Sequence, residues 1–152
     1  MSKASCLTTV AVVLLAACRP AVPTAPSIEL RDAWARETAP GQTSGAAYLT
    51  IVNTGREDDR LIGVTAPKAT GAMLHSASER GGVASMRMAS EVAIPAETTV
   101  TLAPLGTHIM LTGLAAPLKP GERVALTLRF ARAGPRLIEA AVLPAGSNGP
   151  AD

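Results

Sequence analysis

The chain has 152 residues, of which 47% are hydrophobic and 17% are charged, and its formal net charge is +2. This length and composition fit one globular domain and exclude a chain that is disordered throughout. A nucleic-acid partner would require an excess of basic residues and several aromatic side chains for base stacking. The chain has neither, because its only aromatic residues are Trp34, Tyr48 and Phe130. We therefore expect no binding to nucleic acid.

The first 17 residues have the pattern of a secretion signal. Lys3 precedes an uncharged stretch, residues 7–17, which is too short to span a bilayer because a spanning helix needs about 20 residues. The stretch ends in Leu-Ala-Ala before Cys18 and resembles the lipobox of bacterial lipoproteins. That resemblance implies cleavage before Cys18, which would carry the lipid and anchor the chain to a membrane. The alternative is an ordinary signal, with cleavage at a site of the Ala-x-Ala type and Cys18 lost or incidental.

Segments rich in proline or glycine flank the predicted domain. Residues 18–27 contain three prolines and predict an extended tether between the lipid and the domain. Residues 144–152 have no hydrophobic pattern and predict a disordered tail. The folded domain is therefore expected to cover residues 28–143.

The sequence between these flanks has the pattern of short strands separated by turns. One strand is expected to alternate Val124, Leu126, Leu128 and Phe130 onto a single face. No window has the period of a long amphipathic helix. The pattern predicts a single all-β domain, an antiparallel sandwich or barrel. The segments predicted as strands are 46–52, 98–103, 123–130 and 136–142.

Histidine and methionine are concentrated in one part of the sequence. Both histidines, and every methionine other than Met1, lie within residues 73–110. Residues i and i+2 of a strand share a face about 7 Å apart, so three neighbouring strands would bring six nitrogen and sulfur donors to one place. The six residues form the i, i+2 pairs Met73 and His75, Met86 and Met88, and His108 and Met110.

This donor set favours a soft metal. Thioethers are poor ligands for hard cations, imidazole is borderline, and the mixture favours Cu(I). An electron-transfer site of the blue-copper type requires a cysteine thiolate. Both cysteines, Cys6 and Cys18, precede the domain, so the set suits holding and passing on copper rather than redox cycling. The alternative is that the methionines fill the core and the histidines are ordinary hydrogen-bonded residues.

The spacing of four of these residues resembles a known signature. His75, ten residues, Met86, 21 residues and then His108-x-Met110 are similar to the H-x10-M-x21-H-x-M pattern of the PCuAC family of periplasmic copper chaperones. Shorter phrases around it, such as residues 32–36 and 110–114, also resemble the family. The resemblance spans residues 28–143. It implies a cupredoxin-like, Greek-key antiparallel β-sandwich that binds one Cu(I) ion near its surface.

The resemblance also implies the ligands and the role. The ligands would be His75, Met86, His108 and Met110; Met73 and Met88 lie outside the matched positions and are considered as auxiliary ligands only. Family members are thought to supply copper to the Cu(A) centre of cytochrome c oxidase, alone or with Sco-type proteins. We therefore expect a periplasmic chaperone, tethered through Cys18, that passes copper to oxidase subunit II or to a Sco-type protein. Some members capture Cu(II) with a His- and Met-rich tail, which residues 144–152 lack.

Transfer by ligand exchange requires no general acid, general base or nucleophile, and the chain has no Gly-rich phosphate loop or nucleophile elbow. We therefore do not expect an enzyme. Two other roles remain open at this point: a periplasmic protein that buffers copper or confers resistance to it, and a metal-free lipoprotein that acts as an interaction module.

Overall fold

The fold is taken from a computed structural model that describes residues 26–80 and 83–150. The predicted signal segment 1–17, Cys18 and most of the predicted tether lie outside the described residues. Within the described part of the chain, no helix is long and apolar enough to cross a membrane.

Ten strands make up the regular structure of this part. They follow one another through short turns and loops. Their bounds are β1 Ile28–Arg36, β2 Ser44–Asn53, β3 Asp59–Thr65, β4 Ala69–Arg80, β5 Val83–Ala89, β6 Val92–Ile94, β7 Thr98–Leu102, β8 His108–Leu114, β9 Arg123–Phe130 and β10 Gly134–Leu143.

The strands pair in the order β5-β4-β8-β2-β1-β10-β9-β3-β6, and β7 pairs with the second half of β2. The all-β, cupredoxin-like sandwich that the sequence predicts is confirmed. One detail differs from a purely antiparallel arrangement: among the described strands, β1 and β10 form the single parallel pair, with Trp34 opposite Ala141. A parallel neighbour requires a long connection rather than a hairpin, and here the connection is almost the whole domain.

The core forms where the two layers of this folded sheet meet. Alternate residues of β9 supply one side of it, and Val124, Leu126, Leu128 and Phe130 are all buried, as their spacing predicts. Leu49 and Ile51 of β2 are buried in the same cluster. Burying such side chains is the main source of stability for a chain of this size. Leu74 of β4 and Ile109 of β8 belong to the same cluster, so packing in the core holds in place the two strands whose other face carries the histidines.

The four predicted strands are present, with small shifts at their ends. They correspond to β2, β7, β9 and β10, and β9 has the predicted bounds. The predicted tail is described as far as Pro150 and lies in turns after β10. It contacts the end of β1: Arg36 Nη2 donates to the carbonyl oxygen of Ser147 at 3.1 Å, and Ala145 N donates to Glu37 Oε1 at 2.9 Å. Residues 151–152 lie outside the described residues.

Candidate metal site

The predicted ligand residues lie on β5, β4 and β8, which are consecutive neighbours in the sheet. The strand register places His75 directly opposite His108, and Met73 directly opposite Met110. Residues on the other face of the same two strands, such as Leu74 and Ile109, are buried in the core. We call the face that carries the histidines the outer face.

The third strand adds its two methionines to the outer face. Met88 lies opposite His75, and Met86 lies opposite Ala77 one step further along β4. Met86 is therefore a diagonal neighbour of His75, and such neighbours are about 7–8 Å apart. Met88, which is directly opposite His75, is the nearer of the two methionines. Both thioethers are unusually exposed, Met86 by 68% and Met88 by 73%.

The two imidazole rings are close neighbours. Their centroids are 5.8 Å apart and the ring planes meet at 66°. His108 is buried and donates from Nδ1 to the carbonyl oxygen of Gly106 at 3.0 Å. This hydrogen bond assigns the proton to Nδ1 and leaves the lone pair of Nε2 available to a metal. His75 is partly buried, and its Nδ1 atom is buried without a hydrogen-bond partner among the described residues.

The position of His108 follows from the turn that precedes it. Residues 103–107 close a tight loop between β7 and β8, in which Ala103 N bonds to Thr107 O and Gly106 N bonds to Ala103 O. Leu105, within this loop, has a φ of +65°, a conformation that residues other than glycine adopt rarely. The loop delivers the carbonyl oxygen of Gly106 to the imidazole as β8 begins.

A cleft of about 620 Å³ opens beside the imidazoles on the outer face. Three of the four residues that match the copper signature line it, namely Met86, His108 and Met110. His75 is not among its lining residues but lies one strand away, next to His108. Met73 instead borders a second cavity of about 400 Å³ that Leu74 also lines. The cleft therefore gives open access to one side of the donor set.

The other wall of the cleft contains residues that sequence reasoning did not connect with the site. Tyr48 of β2 has its ring centroid 6.3 Å from that of His108 and 4.4 Å from that of Trp34. Burial raises the pKa of the Tyr48 phenol, and the charge of Arg36 opposes that rise. The Arg36 guanidinium carbon lies 5.8 Å from the Trp34 ring centroid and 5.9 Å from that of Tyr48. The i, i+2 spacing of Trp34 and Arg36 is the one signal in the sequence that could have placed them on a common face.

The chemistry of the donor set is that of a soft-metal site. Residues 26–80 and 83–150 contain no group of three or more His, Cys, Asp or Glu side chains arranged to hold a metal. The donors around the two imidazoles are instead thioethers: Met88 lies opposite His75, and Met73 and Met110 form the next outer-face pair of β4 and β8. Thioethers favour Cu(I) over hard cations and zinc. That these residues bind copper stays a prediction at this point.

Comparison with known proteins identifies relatives of this domain. The model of the family described as "Putative lipoprotein LpqE-like" matches residues 28–142. "Putative lipoprotein Lxx21020" of Leifsonia xyli subsp. xyli is 38% identical over 107 residues, which are 70% of this chain. The match covers 63% of that relative's length.

Two solved structures share the fold. The copper-bound PCuAC domain from PmoF2 has 28% identity and a TM-score of 0.67, and the match covers 79% of this chain and 95% of that domain. The Cu(I)-bound solution structure of DR1885 from Deinococcus radiodurans has 35% identity and a TM-score of 0.57, over 84% of this chain and 82% of that protein. Both neighbours bind copper. The present chain belongs to the LpqE-like lipoprotein family, and its β-sandwich is of the PCuAC copper-chaperone type.

Proposed function

We propose that this protein is an extracytoplasmic carrier of one Cu(I) ion that passes its copper to the Cu(A) site of cytochrome c oxidase subunit II, directly or through a Sco-type protein. The observation that carries the proposal is the pair of opposed imidazoles, 5.8 Å apart, with thioethers on the adjacent rungs of the same sheet face. The copper-bound PCuAC neighbours support it, because they have the same fold.

The ligands that we propose are His75, Met86, His108 and Met110. Each histidine has a nitrogen that the described part of the chain does not use: the bond from Nδ1 to Gly106 leaves the lone pair of Nε2 of His108 available, and Nδ1 of His75 has no partner there. A buried nitrogen without a partner is uncommon in folded proteins, because burial removes its hydrogen bond to water and no hydrogen bond within the protein replaces it. A bound metal would resolve that deficit at His75.

Met73 and Met88 are proposed only as auxiliary ligands. Met88 faces His75 across the β4–β5 pair, and Met73 faces Met110 across the β4–β8 pair. Their thioethers are therefore close enough to the proposed ligands to replace one of them, but neither residue lines the cleft through which copper would leave.

Transfer then proceeds by ligand exchange without acid–base catalysis. Met86 is the most accessible of the proposed ligands, because it is 68% exposed on the edge strand β5. An incoming thiolate or imidazole from an acceptor displaces this thioether first. The buried His108 releases the ion last, which keeps copper bound until the acceptor has engaged it.

The membrane attachment belongs to the same proposal. The matching family and the Leifsonia relative are both named as lipoproteins, which supports an anchored, extracytoplasmic location. We propose that Cys18 carries the anchor and that the chain acts in the periplasm, close to membrane-embedded acceptors. The protein is proposed to act as a carrier and not as an enzyme.

A Cu(I) titration tests the binding site. The chain from Cys18 onward, with Cys18→Ser so that no thiol competes, is titrated with Cu(I) against a cuprous chelator under reducing conditions. We expect one tight equivalent in this protein and a much weaker one in the Met86→Leu, Met110→Leu double variant. Leucine nearly preserves the volume of methionine and removes the sulfur, so the fold should be retained. Binding that is indifferent to both substitutions would rule out Met86 and Met110 as ligands.

A deletion strain separates delivery from the competing role in buffering or resistance. If the protein delivers copper, the strain has a defective oxidase when copper is scarce, and added copper restores the enzyme. A strain that is sensitive to copper but retains normal oxidase would overturn delivery and support buffering.

A further inference from the structure

The cleft beside the proposed copper site extends to an arginine that forms no ion pair with the residues that the structure describes. Arg36, at the end of β1, lines the cleft together with His108 and Met110. Among the described residues, the ion pairs involve other side chains, and none includes Arg36. The carboxylate of Glu37, the nearest acidic residue in sequence, accepts a hydrogen bond from Ala145 N instead.

The guanidinium is held in place by two aromatic rings and one carbonyl acceptor. Its carbon lies 5.8 Å and 5.9 Å from the centroids of the Trp34 and Tyr48 rings, which pack against each other. The side chain has five N–H donors, of which one at Nη2 reaches the carbonyl oxygen of Ser147. Its Nε atom is buried and has no acceptor in residues 26–80 and 83–150. Arg36 is therefore a fixed, positively charged group with unused donors.

A carboxylate fits such a group. A guanidinium presents parallel N–H groups that match both oxygens of a carboxylate, and hydrogen bonds between charged partners are roughly twice as strong as neutral ones. An arginine stacked on aromatic rings has already lost part of its freedom, so less ordering is needed when the ligand binds.

The surroundings indicate that this carboxylate belongs to a protein. Leu105 lines the same cleft and is 96% exposed, although its loop is closed by backbone hydrogen bonds. Met86 lines it too and is also largely exposed. Exposed apolar side chains beside an arginine and a tyrosine are typical of the centre of a protein interface, and a small anion would make no use of them.

We propose that Arg36 binds an Asp or Glu side chain of the copper acceptor and so aligns the acceptor's copper ligand with His108. This inference rests on the proposed function. Tyr48 is close to both Arg36 and His108: its ring centroid is 5.9 Å from the Arg36 guanidinium carbon and 6.3 Å from the His108 ring centroid. These two distances limit the separation between the Arg36 guanidinium carbon and the His108 ring centroid to about 12 Å. Side chains two or three residues apart in an extended segment are about 7–10 Å apart, which lies within that limit. The acceptor segment therefore carries its acidic residue two or three positions from its copper ligand.

The transfer step is a ligand exchange without a change of oxidation state. The acceptor thiol gives its proton to the buffer, its sulfur forms a bond to Cu(I), and the bonds from Cu(I) to the thioethers and imidazoles break. Arg36 takes no part in these bonds. It acts as a positioning residue that raises the rate of productive encounter, as charges at an interface commonly do.

Rates of transfer to blocked peptides test this role. One peptide has a Cys followed two positions later by Asp, and its match has Asn in place of Asp. In the Cu(I)-loaded protein with Cys18→Ser, we expect the Asp peptide to remove copper about three- to tenfold faster at low salt, and less so at high salt. In Arg36→Gln this ratio falls to about one, while Arg36→Lys retains part of it. The exposed Arg123→Gln serves as the control and should keep the full ratio.

A second measurement does not depend on copper. Trp34 is the only tryptophan in the chain, so its fluorescence in the copper-free protein reports binding at Arg36. A peptide with Ser in place of Cys should shift this signal when it carries Asp and not when it carries Asn. If acetate produces the same shift at equal concentration, the site accepts small carboxylates generally and the protein ligand is wrong.

The two measurements distinguish failure of the inference from failure of the proposed function. If the protein fails to bind Cu(I) but the Asp peptide still shifts the Trp34 signal, copper carriage is wrong and the carboxylate site remains. If Cu(I) binds and the ratio of Asp to Asn rates is the same in Arg36→Gln as in the parent protein, the role of Arg36 is overturned.

Discussion

The two faces of the β4–β8 pair carry opposite kinds of side chain on the same backbone. On the inner face, Leu74 and Ile109 are opposite each other and almost completely buried. One rung further along, His75 and His108 are opposite each other on the outer face, beside a cleft. Because side chains alternate strictly along a strand, the core contacts that fix the inner pair also fix the spacing of the imidazoles. The inner-face residues therefore contribute mainly to stability, and the outer-face residues carry the proposed metal ligands. Substitutions on the inner face should lower the stability, and substitutions on the outer face should lower the affinity for copper.

The largest effect is expected on the inner face. Ile109→Ala removes a side chain with no exposed surface and leaves a cavity in the core. We expect the free energy of unfolding to fall by about 2–5 kcal/mol, measured by urea denaturation.

Met110→Leu on the next residue of β8 is the matched control. Its side chain is partly buried on the outer face, and the substitution nearly preserves its volume, so the loss should stay below about 1.5 kcal/mol. Equal losses for the two variants would show that the faces are not divided as described.

A second prediction concerns the outer face and copper affinity. His75→Ala should weaken Cu(I) binding at least about tenfold, which corresponds to about 1.4 kcal/mol. It should cost little stability, because Nδ1 of His75 makes no hydrogen bond to the described residues that the substitution would break. Ser76→Ala, the next residue on the inner side of the same strand, is the control and should leave copper affinity unchanged. The measurement is the chelator competition described above, together with urea denaturation of both variants.

A third prediction separates the two kinds of donor by pH. Protons compete with Cu(I) for imidazole nitrogen, whereas thioether sulfur is not protonated in this range. The affinity for Cu(I) should therefore be lower at pH 5 than at pH 8, with residual binding from Met86 and Met110. The His75→Ala, His108→Ala double variant should bind weakly and without this pH dependence. Equal affinity of the parent protein at both pH values would exclude the histidines as ligands.

The sequence predicts the inner face better than the outer one. In β9, four apolar residues alternate over eight positions, and the strand was predicted with its observed bounds. The sequence places Met73 and His75 on a strand but does not give the bounds of β4, because its outer positions carry Met73, His75 and Ala77, which interrupt the alternation of polar and apolar residues. The hydrophobic pattern of a sequence indicates which residues are buried. The residues of a binding face are selected for function instead, so a strand that carries such a face is harder to predict from this pattern.

The candidate site divides in the same way. Its histidines and methionines are rare residue types at short spacings, so the sequence identifies them as candidate ligands without any knowledge of how the strands pair. No spacing in the sequence links Arg36 to Tyr48, and they join the cleft only because β1 and β2 are paired with Trp34 opposite Tyr48. That pairing joins residues distant in sequence, including the parallel contact between β1 and β10, which local patterns do not encode.

The smallest effect concerns a side chain that is buried on the outer face. Burial raises the pKa of the Tyr48 phenol above its usual value of about 10, and the charge of Arg36 limits that rise. Arg36→Gln should therefore raise the pKa of Tyr48 further. The chain has one tyrosine, so a titration followed by tyrosinate absorbance observes this residue alone.

The sign of the linked effect on stability follows from the same shift. Above a pH of about 10, an unfolded chain loses the phenol proton that the native state still holds, so the free energy of unfolding falls as the pH rises from there. This loss should be larger in Arg36→Gln, whereas Arg123→Gln should behave like the parent protein. A Tyr48 that titrates at its usual pH, or at a lower pH once Arg36 is removed, would contradict the enclosed position of the ring. The outer face would then be accessible to water at Tyr48, whereas the structure buries it there as it buries Trp34 and His108.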